Sequence, residues 1–294
     1  MGTIFVGTQA QRAGVAAVAK RSDWYLATDS LELSVAFADG AFTEFPTQVL
    51  APSSVRGFIS GLLPANAADA DHDISFGVGR CISADGMRVL NFTGALVKQL
   101  DAGWAVGNNA GGLFSGSVAA DTTYHGFIIR RDSDGVLDAG FDTSLTAANI
   151  PSGYTQYRRC FSLKTDPSSN IRPFKAIELA DALKLLYTDP PLDVDDASSS
   201  DTGETRTLAV PGDLEFEAVI NVYAAEVHRI SSMDQDNEAV NVTSAPLPNV
   251  PSDQPVQVTE WTNTSGQVRS RAEAGQGGAT LRMSTQAYLD GRRK

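Results

Sequence analysis

The histidines and acidic side chains of this sequence could do chemistry, but few of them are spaced to act together. Asp71-His72-Asp73 combines two carboxylates with an imidazole, the groups of an acid–base pair or a metal clip. Successive residues of a strand point to opposite faces, so these three cannot converge in an extended segment. We interpret the segment as the polar beginning of a strand. His125 is expected to pack beside an apolar strand, and His228 has no recognisable partner.

Two acidic segments have the composition of a cation loop. Residues 132–135 (Asp-Ser-Asp-Gly) resemble the start of a calcium loop, but they lack its closing acidic ligand and predict a β-turn. The acidic run at residues 193–196 predicts a solvated loop. The alternative is that carboxylates of symmetry-related chains converge on an axis and bind Ca²⁺. Cys81 and Cys160 are expected to be buried free thiols. Two cysteines and three scattered histidines do not predict a zinc site, so we expect no metal and no cofactor.

A glycine-rich stretch over residues 103–112 holds the side chains best suited to a ligand. It is no phosphate loop, because it lacks a Lys-Ser/Thr ending and a following helix. Trp104, Asn108 and Asn109 could bind a sugar by ring stacking and amide hydrogen bonds, and Tyr154 is assigned to another loop. The alternative is a long hairpin corner around a buried tryptophan. These four residues are the candidate ligand-binding residues.

Nothing in the sequence predicts a catalytic residue. There is no Gly-x-Ser-x-Gly nucleophile elbow, and no nucleophile is paired with a base. Paired carboxylates cannot be judged without a fold, because 35 acidic residues guarantee accidental neighbours. We therefore expect a protein that is not an enzyme.

Composition limits the partners. The chain has 294 residues, 42% of them hydrophobic, which is enough for a core. Its net charge of −12 argues against binding to nucleic acid or to an anionic membrane. No apolar run approaches the roughly 18 residues that a membrane span needs, so no membrane insertion is expected. The first residues lack the apolar region of a signal peptide.

The elements that must position these residues read as short strands. Stretches rich in Val, Ile, Phe, Tyr and Thr alternate with Gly, Pro and Asn corners, and the helix–strand rhythm of a parallel α/β fold is missing. This pattern predicts an all-β protein built of antiparallel β-sandwich, jelly-roll-like domains. A small N-terminal β-meander module is expected, with an opening strand, a short helix over residues 10–20 and a hairpin turn at Asp39-Gly40.

Composition shifts predict four regions. Residues 1–46 form the N-terminal β module, residues 47–70 a connector, residues 71–188 a β-sandwich domain, and residues 189–294 a second β-rich region that could complete the same sandwich. Two segments within these regions are less regular. Residues 176–187 fit either a helix or a hairpin, and we favour the hairpin. Residues 189–205 are polar and acidic and predict an exposed loop.

Several segments resemble tailed-bacteriophage virion proteins of the tail-fibre or head-fibre type. The matching segments are rich in glycine, serine, threonine and aromatic residues. They are residues 101–107 (DAGWAVG), 111–113, 116–125 (GSVAADTTYH), 142–145, 150–154, 157–159, 169–174 and 262–271. Residues 6–8, 24–29 and 38–40 resemble a small module common in phage fibre and spike proteins. The resemblance brings no catalytic residues, and it implies a symmetric homotrimer with an extended segment after Phe174.

The resemblance implies a structural protein of a phage virion. Residues 1–46 would attach it to other phage structural proteins on the particle. The β-rich body would project, form a homotrimer and contact host surface glycans, which is a role in host attachment. The alternative is a capsid decoration or cement protein on the phage head. A depolymerase is a third reading, which the modest length and the missing β-helix repeats disfavour.

Overall fold

The computed structural model describes residues 57–180, 182–240 and 249–292, and in the preceding chain the backbone of four strands. These are β1 (Ile4–Gly7), β2 (Trp24–Ala27), β3 (Leu33–Ala38) and β4 (Ala41–Glu44), which form one sheet in that order. Strands β2, β3 and β4 pair antiparallel, so the predicted meander is confirmed, and β1 adds to it in parallel. The helix predicted over residues 10–20 lies outside the described residues.

The chain divides into two compact units. One contains residues 1–58 and 82–89, and the other contains residues 59–81 and 90–294. The boundaries that we placed at residues 46, 70 and 188 stay predictions. Within the segment predicted as a connector, β5 (Ile59–Gly61) and β6 (Pro64–Asn66) are strands.

The described part of the larger unit contains two large sheets. The first has the order β14-β12-β13-β11-β10-β7-β6. Its further strands are β7 (Asp73–Phe76), β10 (Leu96–Gly103), β11 (Ala110–Leu113), β12 (Thr123–Arg131), β13 (Leu137–Asp142) and β14 (Tyr154–Lys164). The second has the order β15-β16-β24-β19-β22, and β17 pairs with β24. Its strands are β15 (Phe174–Glu178), β16 (Leu183–Tyr187), β17 (Leu192–Ser199), β19 (Glu217–Ala224), β22 (Val256–Trp261) and β24 (Ala279–Asp290).

Two smaller sheets complete the described strands. One has the order β18-β23-β20-β21 and the other the order β5-β8-β9. Their remaining members are β8 (Gly79–Ile82), β9 (Val89–Phe92), β18 (Glu204–Thr207), β20 (His228–Ser232), β21 (Asn249–Val250) and β23 (Gln267–Ala272). The protein is all-β, as predicted, and most strand pairs are antiparallel. Among the described residues, no helix is long and apolar enough to cross a membrane.

Two ambiguous segments are resolved by their hydrogen bonds. The hairpin favoured over residues 176–187 is confirmed, because β15 and β16 pair antiparallel from Phe174 opposite Tyr187. The exposed loop predicted over residues 189–205 is wrong, because it contains β17 and the start of β18. Its acidic sequence can form a strand because Val194 and Ser199 are buried while hydrogen bonds engage the Asp193 carboxylate. The polar composition of residues 189–205 therefore predicted a loop where the chain forms strand β17.

The core lies where strands of both large sheets bury alternate side chains. Burial alternates along β19 and β24, as expected for strands with one apolar face. Phe76, Phe141 and Phe161 pack with ring centroids 5.2–6.4 Å apart. Strand β12 is buried on both faces, because a second apolar cluster around Phe127 and Ile129 covers its other side. That second cluster is where the predicted ligand-binding aromatics lie.

Candidate ligand-binding surface

The glycine-rich stretch joins two parallel neighbours of one sheet. Strands β10 and β11 pair in parallel, with Lys98 opposite Ala110, and only residues 104–109 connect them. Parallel neighbours normally need a longer crossover, so this return is unusually tight. Gly111 permits it, because a Cβ atom there would lie 2.0 Å from the carbonyl oxygen of Gly103. These glycines therefore serve a close approach of backbones, not the binding of a phosphate.

The structure brings two of the four predicted residues into contact. The rings of Trp104 and Tyr154 meet edge to face, with centroids 5.2 Å apart and an interplanar angle of 76°. The Trp104 indole N–H donates to the carbonyl oxygen of Ala139 at 3.0 Å. Tyr154 is buried and Trp104 is half-buried, so this pair offers part of one indole ring to a ligand. The indole nitrogen itself is already engaged.

A buried ion pair supports the connection between β10 and β11. The Lys98 ammonium lies 2.9 Å from Asp138 Oδ1 and donates to the carbonyl oxygen of Ala105 at 2.6 Å. It also lies 5.3 Å from the centroid of the Trp104 ring, within cation–π range. Asp138 Oδ2 accepts the backbone N–H of Gly107 at 2.8 Å. The pair therefore fixes the backbone on which Trp104 stands.

Sequence reasoning missed this ion pair, although the sequence contains one signal of it. Lys98 shares a strand face with Leu96 and Leu100, which is an inward position for a charged residue. Burial lowers the pKa of Lys98, and the hydrogen bond and charge of Asp138 oppose that shift. A buried lysine needs such a partner.

The two predicted asparagines lie beside β10, at the start of β11. Asn108 Oδ1 accepts the backbone N–H of Val97 at 2.7 Å, so its carbonyl group stabilises the loop. Asn109 has a φ of 54°, in the left-handed region that asparagine tolerates, and its N–H donates to the carbonyl oxygen of Val97. Both side chains are exposed. Among the described residues, the side-chain amide of Asn109 has no hydrogen-bond partner. Ligand binding by these four residues stays a prediction.

A serine, a histidine and an aspartate meet in the order of a catalytic triad. His125 Nδ1 lies 2.8 Å from Ser162 Oγ, and His125 Nε2 lies 3.2 Å from Asp213 Oδ2. The hydroxyl and the imidazole are both fully buried, and Ser162 Oγ also accepts a hydrogen bond from Arg159. Substrate therefore has no route to this hydroxyl, and the array is structural.

One assignment of protons to His125 and Ser162 satisfies the hydrogen bonds of this array. Burial, reinforced by the charge of Arg159, lowers the pKa of His125, although Asp213 opposes the shift. The neutral imidazole donates from Nε2 to Asp213 and accepts the Ser162 hydroxyl proton at Nδ1. No local pattern predicts this array, because Ser162 and Asp213 are 37 and 88 residues from His125.

The other sequence candidates do not form sites. His72 lies 3.2 Å from Asp69 and 4.0 Å from Asp101, so its ion-pair contacts are with acids outside residues 71–73. Residues 132–135 form the predicted turn, in which Asp134 pairs with Arg131. Both cysteines are buried free thiols. In the part of the chain that the structure describes, no group of three or more His, Cys, Asp or Glu side chains is arranged to hold a metal.

Comparison with known proteins adds little to this geometry. No protein-family model matches the sequence, and no curated protein matches it. A solved structure described as Major Tropism Determinant U1 Variant aligns with 68% of this chain and 52% of its own, at 14% identity and a TM-score of 0.28. The chain thus spans about half the length of that structure. A similarity at this level carries no argument, so function is argued from the residues of this chain.

Proposed function

We propose that the protein is a non-enzymatic structural protein of a bacteriophage virion, of the fibre type. Residues 1–46 attach it to the particle, and the β-rich body projects, forms a homotrimer and contacts glycans of the host surface. We call the segments that resemble phage fibre proteins the fibre-like motifs. The observation that carries the proposal is that those of the β-rich body lie in consecutive strands and corners of an all-β fold. Residues 101–125 span the end of β10 through the start of β12, and residues 142–159 span the corner between β13 and β14.

The fibre-like motifs correspond to tight packing. At Gly140, which lies between two motifs, a Cβ atom would lie 2.2 Å from the Phe114 ring and 2.9 Å from the Trp104 ring. At Gly112, a Cβ atom would lie 2.9 Å from the Phe141 ring. Glycines at such contacts are required by architecture. Gly112 and Trp104, which belong to the resembling segments, therefore also build the fold, and this supports a structural role.

The outer strands of the second large sheet support self-association. In the described part of the chain, β15 and β22 are the outer strands of the second large sheet. An outer strand presents unpaired N–H and C=O groups, and pairing or covering by another copy protects them. Trimerisation would supply that cover by symmetry.

The buried serine array supports a role without catalysis. Among the described residues, Ser162 lies next to His125, which in turn contacts Asp213, in the order of a catalytic triad. The Ser162 hydroxyl is fully buried, which prevents its attack on a polysaccharide. Release of oligosaccharide from host capsule by the purified protein would contradict this part of the proposal.

Light scattering on the purified chain tests the assembly. A mass of three chains of 31.1 kDa is expected. A monomer at all concentrations would contradict a self-trimerising fibre. Antibody labelling of phage particles then places the protein. Label on the tail supports the fibre, label on the head supports the decoration protein instead, and particles without label overturn both.

Binding to host cells tests the attachment role. The wild-type chain is expected to bind, and Trp104→Ala is expected to lose most of that binding. The matched control is Trp261→Ala, which removes a tryptophan that is 53% exposed at the end of β22. Equal loss in both variants, or no binding by the wild type, would contradict contact through Trp104.

A further inference from the structure

A second surface feature lies away from the Trp104 loop. A pocket of about 180 Å³ is formed by the end of β14, the segment that follows it and the start of β17. We call it the Lys164–Arg172 pocket, and its lining includes Lys164, Arg172, Asp121, Asp193, Leu192 and Pro167. Two cations in one small pocket are notable in a chain with a net charge of −12.

Arg172 is held in place by its backbone while its guanidinium stays free. The preceding residue, Ile171, is buried and donates its N–H to the carbonyl oxygen of Asp71 at 2.7 Å. Two residues later, the N–H of Phe174 donates to Asn66 Oδ1 at 3.0 Å. Among the described residues, the half-buried Arg172 side chain makes no hydrogen bond and no ion pair. Its five donors are available to a ligand.

Lys164 supplies the second cation. Its ammonium donates to the carbonyl oxygen of Leu208 at 3.2 Å and has no carboxylate within ion-pair distance among the described residues. Burial lowers the pKa of Lys164, Asp121 and Asp193 oppose the shift, and Arg172 adds to it. The two acids act on Lys164 more strongly than Arg172 does, so the attraction of the pocket for an anion rests chiefly on the free guanidinium of Arg172.

The two acids of the pocket differ in what they can offer. Asp193 is already engaged, because Oδ1 accepts the N–H of Ala209 and Oδ2 accepts both the N–H and the hydroxyl of Thr285. Asp121 is exposed, and among the described residues its carboxylate has no hydrogen-bond donor. Asp121 therefore weakens the attraction for an anion, and a singly charged ligand suits the pocket better than a doubly charged one.

The remaining wall is apolar. Leu192 is 57% exposed, and Pro167 and Pro191 also line the pocket. The volume is below the roughly 300–1,000 Å³ of pockets that enclose drug-sized ligands, so it admits a single ring or a terminal group. A sugar ring offers an apolar C–H face to such a wall, and a planar carboxylate matches the fork of an arginine.

We propose that the Lys164–Arg172 pocket binds one acidic sugar residue, with its carboxylate on Arg172 and Lys164 and its ring against Leu192. The proposal deepens the proposed function, because a host surface is the source of such sugars for a virion protein. Binding of the free sugar is a property of the pocket alone. It is therefore measured separately from assembly, particle location and cell binding.

Titration of the full chain with sodium glucuronate tests the proposal, with glucose as the neutral sugar that differs only at C6. Chemical shifts of methyl groups, or heat, report binding. Glucuronate is expected to bind saturably and at least ten times more tightly than glucose or inorganic phosphate. Equal affinity for glucuronate and glucose would overturn the role of the carboxylate. Tighter binding of phosphate would overturn the assignment to a sugar.

Three variants locate the site. Arg172→Ala is expected to weaken glucuronate binding at least tenfold, and Asp121→Asn is expected to tighten it severalfold. Lys175→Ala is the matched control, because it removes an exposed cation of β15 outside the pocket, and it should leave binding unchanged. Should Arg172→Ala not fold, Arg172→Gln replaces it. Wild-type affinity in a folded Arg172 variant, or equal loss with Lys175→Ala, would overturn the proposal.

Discussion

Two buried ion pairs, Arg159–Asp290 and Lys98–Asp138, have different positions and different consequences. The first joins β14 of one large sheet to the last residue of β24 in the other. The second joins β10 and β13 within one sheet and lies under the loop that carries Trp104. Both are almost completely buried. Similar chemistry thus serves the core in one region and the shape of a surface loop in the other.

The carboxylate of Asp290 accepts more hydrogen bonds than that of Asp138. Two guanidinium nitrogens donate to the two carboxylate oxygens at 2.7 and 2.8 Å. The same carboxylate accepts the backbone N–H groups of Ser162 and Arg292, both at 2.9 Å. Burial would lower the pKa of Arg159, but the charge and hydrogen bonds of Asp290 raise it overall. Arginine stays charged, so this region depends on its partner at every pH.

The Lys98–Asp138 pair rests on a group that can lose its charge. Burial is the largest influence on Lys98 and lowers its pKa despite Asp138. A lysine that loses its partner can release its proton, whereas an arginine cannot. Burial alone therefore does not predict which of two buried ion pairs costs more free energy of unfolding when one partner is removed. The loss of stability when one partner is removed also depends on whether the remaining partner can lose its charge.

The largest expected effect is the loss of the bidentate partner in the core. Asp290→Ala leaves the Arg159 charge buried and unpaired, so we expect a loss of about 3–5 kcal/mol in the free energy of unfolding. Urea denaturation measures it. The control, Asp195→Ala, removes the exposed partner of Arg282 and should change stability within experimental error. Similar losses in the two variants would contradict the structural role of Asp290.

A smaller effect is expected under the loop. Asp138→Ala should cost about 2–3 kcal/mol at pH 7, because Lys98 can become neutral in the folded state. The unfolded lysine keeps its ordinary pKa near 10.4, so this cost should shrink as the pH rises from 7 to 9. Asp290→Ala should show no such decrease. A pH-independent loss for both variants would remove the distinction between the two pairs.

Mild acid should lower the free energy of unfolding through His125, whose partner Ser162 contacts Arg159, and not through the Lys98–Asp138 pair. The pKa of His125 is lowered in the folded state, so the unfolded chain binds a proton more readily below about pH 6.5. The contribution of His125 to stability is therefore complete above that pH and falls as the pH decreases from 7 to 5. Denaturation at several pH values measures the slope, and His125→Gln should reduce it, the remainder coming from His228, whose pKa burial also lowers. An unchanged slope in that variant would assign the acid response elsewhere.

The smallest expected effect is confined to the loop backbone. Asn109 has a φ of 54°, which alanine adopts at a cost and glycine adopts freely. Asn109→Ala should therefore be about 1 kcal/mol less stable than Asn109→Gly. Thermal unfolding of the two variants measures the difference, and neither should alter the pH dependence due to His125. Equal melting temperatures would indicate that the loop relaxes to another backbone conformation.

The sequence predicted strands better than it predicted which strands meet. The apolar pattern over residues 176–187 predicted the β15–β16 hairpin, since that pattern depends on neighbouring residues. The acidic run containing Asp193 was misassigned as a loop, because the hydrogen bonds that let it form a strand come from Thr285, which is 92 residues away. The candidates Trp104 and Tyr154 were chosen separately, from their residue types. Their contact in space and the hydrogen bond of the indole N–H to Ala139 are visible only in the structure.

Long-range pairing explains what could not be predicted. Lys98 was visible as a charge on an apolar face, but its partner is on β13. Arg159 and Asp290 are 131 residues apart, and no local pattern links them. The free guanidinium of Arg172 is recognised only when β17 is placed beside it, since the pocket does not exist in either segment alone.

The central position of β24 has a consequence for the order of events during synthesis. Strands β16, β17 and β19 all pair with β24, which is made after them. A ribosome that has translated residues up to 278 has produced these three strands without the strand that joins them. The second large sheet therefore cannot close while they emerge, and their apolar faces depend on transient protection until residues 279–290 leave the exit tunnel.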